Sequence, residues 1–518
     1  MASLMGRSDS IAERVLFGLA FVTRFFHLAD PAQIVFDEIH FAGFTNSILK
    51  REFFWDIHPV LGKLTLAFGG WLLGYQPSDF DFSGIGKDYG TLRYVPLREV
   101  SAFFGVLTVP LLYRTARVLG LSVPGALLAA LFLCWDTMHV TEARLILMDS
   151  QVLFTGVLAL YTALCLWRTR PRTPSRFLWL VLAGLGSGAS ISVKWTGLAT
   201  PGLIAIVSFF GLHFLKEPLA LVECAVAGAS GLGLYTALFW VHLQVLTHSG
   251  PGDAFMPLEF QRTLIGSEHF DPAAPGLGFW RTFGEINRVM YTSNRDIVDD
   301  HNWASKWWQW VVNARGILFY TQESPPGSGL WAQIYLIGNP FIVVVVLAAN
   351  TLFIAWLIFK VRYKLPRGDA AAVVGKALPA GDSVAPVDGK AALTRSTGGR
   401  PAVHTPVAST ALDSQLPPAQ RSVVATGVFL LFGWLTSLLP FVLVDRTSFL
   451  YHYLPALMYG ELLAALLVDQ LPRRLRVVAC VALSTAAMVA FLYWAPWVYA
   501  LPRSSDWHQT RRWMARWD

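Results

Sequence analysis

The 518 residues predict an all-α, polytopic integral membrane protein with about eleven transmembrane helices. Three observations carry that prediction. Hydrophobic residues make up 54% of the chain, whereas Asp, Glu, Lys and Arg together reach only 14%, about half the share that a soluble surface uses. Apolar runs close to bilayer length recur along the sequence. Most of the excess charge behind the net +7 sits in short loops beside those runs, which is positive-inside bias rather than a nucleic-acid surface.

The runs fall at about 11–29, 100–119, 122–137, 150–167, 177–193, 196–214, 219–246, 338–361, 423–444, 450–469 and 477–497. The first contains Arg24 and His27 and lacks a small-residue cleavage site, so it reads as a retained span. Three cationic clusters set the orientation: Arg168, Arg170, Arg172 and Arg176; Lys360, Arg362, Lys364 and Arg367; and Arg473, Arg474 and Arg476. With an odd number of spans and a cytosolic N-terminus, all three fall on the cytosolic side and the C-terminus lies outside. Connections 30–98, 138–149 and 248–337 then face the exterior. Within the first, the apolar Val60–Tyr75 is too short to span and predicts an interfacial or re-entrant helix.

Residues 1–361 therefore form a transmembrane core with external loops 30–98 and 248–337. Residues 362–422, rich in Ala, Gly, Pro, Ser and Thr, are expected as a disordered cytosolic linker. Residues 423–518 supply the last three spans and an external tail. Gly184–Ala189 mimics a dinucleotide loop but lies inside a span, where small residues predict close helix packing. Cys134, Cys165, Cys224 and Cys480 show no paired spacing and imply neither a disulfide framework nor a zinc site.

Chemistry concentrates in the first external loop. Asp37 and Glu38 are adjacent; His58, Pro59 and Lys63 follow at the start of the interfacial helix. Acid, base and cation at the lipid–water boundary suit transfer from a lipid-phosphate sugar donor. One carboxylate accepts the proton of an incoming hydroxyl, while cations hold the departing phosphate. No cofactor is required, and no metal ligand set is implied; the external acids leave room for a divalent cation without demanding one.

The stretch "FDEIHFAGFTNSILKREFFWDIHPVLGKL" resembles the first external loop of the protein O-mannosyltransferases, C-type membrane glycosyltransferases. "VPLREVSAFFG", "ARLILMDSQVLF", "SVKWTGL", "WASKWWQW" and "FLYHYLPAL" resemble further family motifs in the family's order. The resemblance implies a GT-C fold and inverting transfer of mannose from dolichyl-phosphate mannose to Ser or Thr hydroxyls of proteins. It places this at the lumenal face of the endoplasmic reticulum membrane, with the bacterial plasma membrane as the alternative. It makes Asp37 the general base and Glu38 a helper in placing the acceptor. One carboxylate suits inversion, since a retaining enzyme wants a second as nucleophile. Family members pair, so a homo- or heterodimer is expected. Loop 248–337 is too short to hold the β-trefoil MIR domain that many eukaryotic members insert there. Val60 and Asn302 stand where the family commonly has proline.

The match makes Lys63, Arg98, Lys194, Arg144 and His58 candidates for the donor phosphate or substrate. Against each stands a structural alternative: a snorkelling lysine for Lys63, a helix-start residue for His58, a boundary arginine for Arg98, and an ion pair with Asp149 for Arg144. Lys194 interrupts an apolar run, which marks a functional candidate. Trp195, Trp307, Tyr451 and His452 are candidate acceptor or sugar contacts. Trp303, Trp307 and Trp310 recur at helical spacing, which equally suits an aromatic belt. Two rivals remain: a GT-C enzyme using another polyprenyl-phosphate sugar or a lipid acceptor, and, from another class, a transporter or non-catalytic scaffold. A transporter would place its functional charges near mid-membrane, whereas here they crowd one boundary.

Overall fold

A computed structural model describes residues 6–211, 218–298, 301–364, 418–443 and 446–517. Among the described residues, helix covers most of each of the eleven apolar runs. Those used below are α1 (Arg7–Phe25), α2 (Glu38–Lys50), α3 (Leu61–Leu72), α4 (Val95–Leu119), α5 (Val123–Trp135), α6 (Thr137–Arg144), α7 (Asp149–Trp167), α8 (Pro174–Val193), α9 (Ala199–Phe210) and α10 (Leu221–Val245). Longer helices follow at Pro340–Lys364, Pro418–Leu438, Leu454–Asp469 and Arg473–Val498. Among the described residues, eight helices are long and apolar enough to cross a bilayer, or nine if the bent pair α5–α6 is one span. α1 carries too many charges for that set, and Trp195–Phe210 is shorter.

The chain divides into two compact units, residues 1–350 with 425–518, and residues 351–424. In the second unit the helix from Pro340 continues to Lys364, and the next begins at Pro418. The expected linker lies, for residues 365–417, outside the described residues.

In the first unit α4 lies against α1, α5 and α7, and α8 packs on α7 and α10. Small residues set the last contact: a Cβ at Gly188 would lie 2.5 Å from the Gly231 carbonyl oxygen. The Gly184–Ala189 run is thus a close-packing face. The short helix expected at Val60–Tyr75 is α3. It buries Lys63, Leu66 and Ala67 and turns Phe68, Trp71 and Leu72 outward, as an interfacial helix does.

Two features differ from expectation. Residues 138–149 are not an open connection: α6 is buried along its whole length, bent 56° from α5. Asp136 caps its start, accepting a hydrogen bond from His139 N at 3.0 Å. The external loop 248–337 also ends in an antiparallel hairpin, β1 (Ile317–Glu323) and β2 (Leu330–Leu336), to which β3 (Arg503–Ser504) adds a third strand. The helical class stands, with this small sheet docked near the first external loop. Phe319 of β1 stacks on Phe36 at 4.2 Å.

Candidate active site

The two adjacent acids have opposite environments. Asp37 stands immediately before the first residue of α2 without a side-chain capping bond, and follows Phe36, whose φ of 47° is a strained conformation for an aromatic residue. The stack of Phe36 on Phe319 holds that turn. The Asp37 carboxylate is half-buried and has no hydrogen-bond partner among the described residues. Burial pushes its pKa up from 3.8 to about 6; Lys194 and His40 pull it back, and Asp149 and Asp56 push it further up.

Glu38 is fully buried and saturated. It accepts from Arg98 Nε at 2.8 Å, Arg98 Nη2 at 2.9 Å, Val35 N at 2.9 Å, Ile146 N at 2.9 Å and Tyr89 Oη at 3.2 Å. The remaining Arg98 donors go to the carbonyls of Leu28, Pro31 and Gln33, so the guanidinium has none left for a ligand. Both were expected at the substrate. Glu38 and Arg98 form a buried ion pair that ties the first loop to α4, and neither opens toward substrate in this structure.

Arg144 is likewise engaged within the fold. It donates to the carbonyls of Arg24, Phe26 and His27, at the end of α1, and its guanidinium lies 4.5 Å from the Tyr499 ring. It satisfies carbonyls that the helix end leaves without partners. The alternative pairing with Asp149 does not form either. Asp149 takes Lys194 instead, Nζ to Oδ2 at 2.7 Å.

Lys194 stands where α8 stops, in extended backbone before a 3₁₀ turn at Trp195–Leu198. Its ammonium lies 5.7 Å from the Phe41 ring and 5.4 Å from the Tyr451 ring. Burial disfavours its charge, but Asp149, with Glu142 and Asp37, holds its pKa above the ordinary value. Lys63 points from α3 to Asp56 and to the His58 carbonyl oxygen at 2.7 Å, with its ammonium near the Phe44 and Phe54 rings. Burial lowers the Lys63 pKa, partly offset by Asp56. His58 is held neutral, its pKa driven well below 6.5 by burial and then by Lys194, Lys63, Arg446 and His452.

The structure therefore gathers Asp37, His58, Lys63, Lys194, Tyr451 and His452 around one space. It adds two groups that sequence reasoning did not select. Asp56 pairs with Lys63, and only its place two residues before His58 hinted at it. Arg446 donates to Asn294 Oδ1 and to the Thr447 carbonyl oxygen at 3.4 Å, with no ion pair to an acid among the described residues. Lys63 pairs with Asp56 and Lys194 with Asp149, which leaves Asp37 as the carboxylate of the three without an ion-pair partner among the described residues.

The aromatic candidates separate. Tyr451 flanks Lys194, and His452 stacks on Tyr451 at 4.7 Å while its Nδ1 engages the Phe449 backbone. Trp195 turns away to pack beside Phe239 and Tyr235, with Nε1 3.3 Å from Tyr235 Oη. Trp307 starts a five-residue helix, Trp307–Val311, that excludes Trp303. Of these tryptophans it is Trp310 that stacks on His452, at 6.0 Å. Among the described residues no three His, Cys, Asp or Glu side chains converge as metal donors.

Residues 14–247, which contain Asp37, Lys63 and Lys194, match the family model described as dolichyl-phosphate-mannose-protein mannosyltransferase. Residues 279–368 and 408–517 match that of the C-terminal four-transmembrane region of protein-O-mannosyltransferase. The chain belongs to the protein O-mannosyltransferase family. It is 37% identical over 265 residues to dolichyl-phosphate-mannose–protein mannosyltransferase 4 of Saccharomyces cerevisiae, covering 48% of this chain and 35% of that protein. Against protein O-mannosyl-transferase 2 of Danio rerio it is 31% identical over 278 residues, covering 50% and 35%. It thus spans about a third of the length of the curated relatives it matches. In fold it is similar to a chain of the S. cerevisiae protein O-mannosyltransferase Pmt1-Pmt2 complex bound to the sugar donor. The TM-score is 0.83 at 18% identity, covering 100% of this chain and 94% of that one. The GT-C architecture expected from the motifs is the one observed.

Proposed function

We propose that the protein transfers mannose from dolichyl-phosphate mannose to Ser or Thr hydroxyls of proteins, with inversion at the anomeric carbon. The observation that carries this reading is the uncommitted Asp37 carboxylate, raised to a pKa of about 6 beside the buried Lys194. Asp37 takes the proton of the acceptor hydroxyl, whose oxygen attacks the anomeric carbon. The bond from that carbon to the phosphate oxygen breaks, and dolichyl phosphate leaves.

Charge accounts for the arrangement. As the proton reaches Asp37, the site loses one negative charge while the departing phosphate gains one. Lys63, Lys194 and Arg446 already stand around that space, so no reorganisation is needed. Partial burial strengthens each contact over its value in water. The reading routes no step through a metal or cofactor. Tyr451 and His452 line the side beyond Lys194 and are assigned to sugar or acceptor contact.

The proposed setting is the lumenal face of the endoplasmic reticulum membrane, in keeping with a dolichyl-linked donor and with relatives from yeast and zebrafish. Pairing with a second copy or a related chain is part of the proposal, since the structural relative is a complex of two such chains. The test uses membranes containing the protein, labelled dolichyl-phosphate mannose and a Ser/Thr peptide. Label should appear on the peptide in a protein-dependent manner, with inverted configuration. Label confined to lipid, or retained configuration, would overturn the reading.

A further inference from the structure

Outside the reaction space, the interior holds a second polar cluster around the α5–α6 bend. Glu142 is 1% exposed, His139 4% and Glu461 0%. Both oxygens of each glutamate and both His139 ring nitrogens make no hydrogen bond to any described residue. Arg24 adds a buried charge: its Nη atoms donate to Thr23 Oγ1 and to the carbonyls of Leu133 and Cys134, while its Nε has no partner among the described residues. So many orphaned polar atoms in an apolar interior would cost an amount comparable with the whole stability of a domain. Buried polar groups in native proteins are satisfied, by water where protein atoms do not reach.

The surrounding space selects the occupant. A cavity lined by Arg24, Thr108, His139, Glu142, Asp149 and Ser150 has room for about one water, ≈ 10 Å³. It shares Asp149, Leu153 and Leu454 with a cavity of the same size that holds Lys194, Tyr451 and His452. His139 Nε2 stands 3.9 Å from Glu461 Oε1, beyond a direct hydrogen bond and within reach of a bridge. Asp149 belongs to both spaces, and its Oδ2 holds Lys194.

We propose that Glu142, His139 and Asp149 form a buried water-binding site, with one water in that cavity bridging Glu142 to Asp149. Glu142 is then a positioning residue: through the bridge it fixes the Asp149 carboxylate, which in turn aims Lys194. The water site stands on geometry alone. Its kinetic consequence rests on the reading of Lys194 as a donor-phosphate contact.

The first test is a structure of the full chain in a lipid nanodisc at a resolution that shows ordered water. Density within hydrogen-bond distance of both Glu142 and Asp149 is expected, and a dry cavity there overturns the site. This readout uses no substrate, so it stands apart from any failure of the mannosyl-transfer reading. The second compares Glu142→Gln, which keeps the shape and can still bond the water, with Glu142→Leu, which cannot. Glu142→Leu should raise the donor KM about tenfold, the value of one lost hydrogen bond, at nearly unchanged kcat. Glu142→Gln should stay within about twofold. Equal KM values for the two folded variants overturn the positioning role, whereas if Glu142→Leu fails to fold, a Glu142→Gln KM raised tenfold does so.

Discussion

Neighbouring carboxylates that do opposite work give the sharpest perturbation. Asp37→Asn exchanges a carboxylate oxygen for an amide at a side chain with no hydrogen-bond partner among the described residues, so the exchange disrupts no bond. The base is lost, and transfer should fall about 10²- to 10⁴-fold, the usual contribution of a positioned general base. Stability should not fall. The folded-state pKa of Asp37 lies above its unfolded value, so its contribution to stability is present at low pH and is lost as pH rises through about 6. A permanently neutral Asn escapes that loss at pH 7. Glu38→Gln makes the same chemical change one residue later with the opposite result. Its oxygens accept five hydrogen bonds, and an amide NH₂ in place of either oxygen faces donors it cannot satisfy. Arg98 then stays buried beside a neutral partner, a loss of about 3–5 kcal/mol. Labelled-mannose transfer per folded molecule and thermal unfolding in detergent separate the two. A stable, active Asp37→Asn, or a stable and inactive Glu38→Gln, would refute the division of labour.

Four further substitutions extend the test. Arg446→Gln should raise the donor KM about tenfold or more without lowering the melting temperature, because its hydrogen bonds go to neutral oxygens; Lys63→Met should instead strand Asp56 and destabilise by about 3–5 kcal/mol in thermal unfolding. Arg144→Ala should lower stability by about 1–3 kcal/mol, since it releases carbonyls at the end of α1, yet leave transfer per folded molecule unchanged. Gly188→Val should destabilise on the order of 1–3 kcal/mol by pushing α8 from α10, read as a lowered melting temperature.

How far the sequence could be read depended on the range of the interaction. Helix positions were legible because apolar runs are local, and Lys194 was conspicuous because it interrupts one. The interfacial helix was legible from the length of Val60–Tyr75 alone. Partnerships were not legible: Arg98 meets Glu38 across 60 residues and Lys194 meets Asp149 across 45. Before those pairings are known, Arg98, Arg144 and Lys194 are equivalent cations at helix ends. The fold assigns one to a buried ion pair, one to a helix cap and one to the reaction space. The hairpin escaped because its strands are short and one is completed by residues near the C-terminus. α6 falls in a stretch that the apolar runs leave as a connection, because His139, Glu142 and Arg144 interrupt the hydrophobic pattern, yet the fold buries all three.

The central claim, that the Asp37 carboxylate takes the acceptor's proton, is tested most directly by the pH dependence of single-turnover mannosyl transfer with saturating peptide. A base with a pKa of about 6 is about nine-tenths ionised at pH 7 and about one-tenth at pH 5. The rate should be nearly level above neutrality and fall toward tenfold per pH unit below 6, with the residual rate of Asp37→Asn showing no such fall. A wild-type rate unchanged between pH 7 and pH 5, or the same fall in Asp37→Asn, would contradict it.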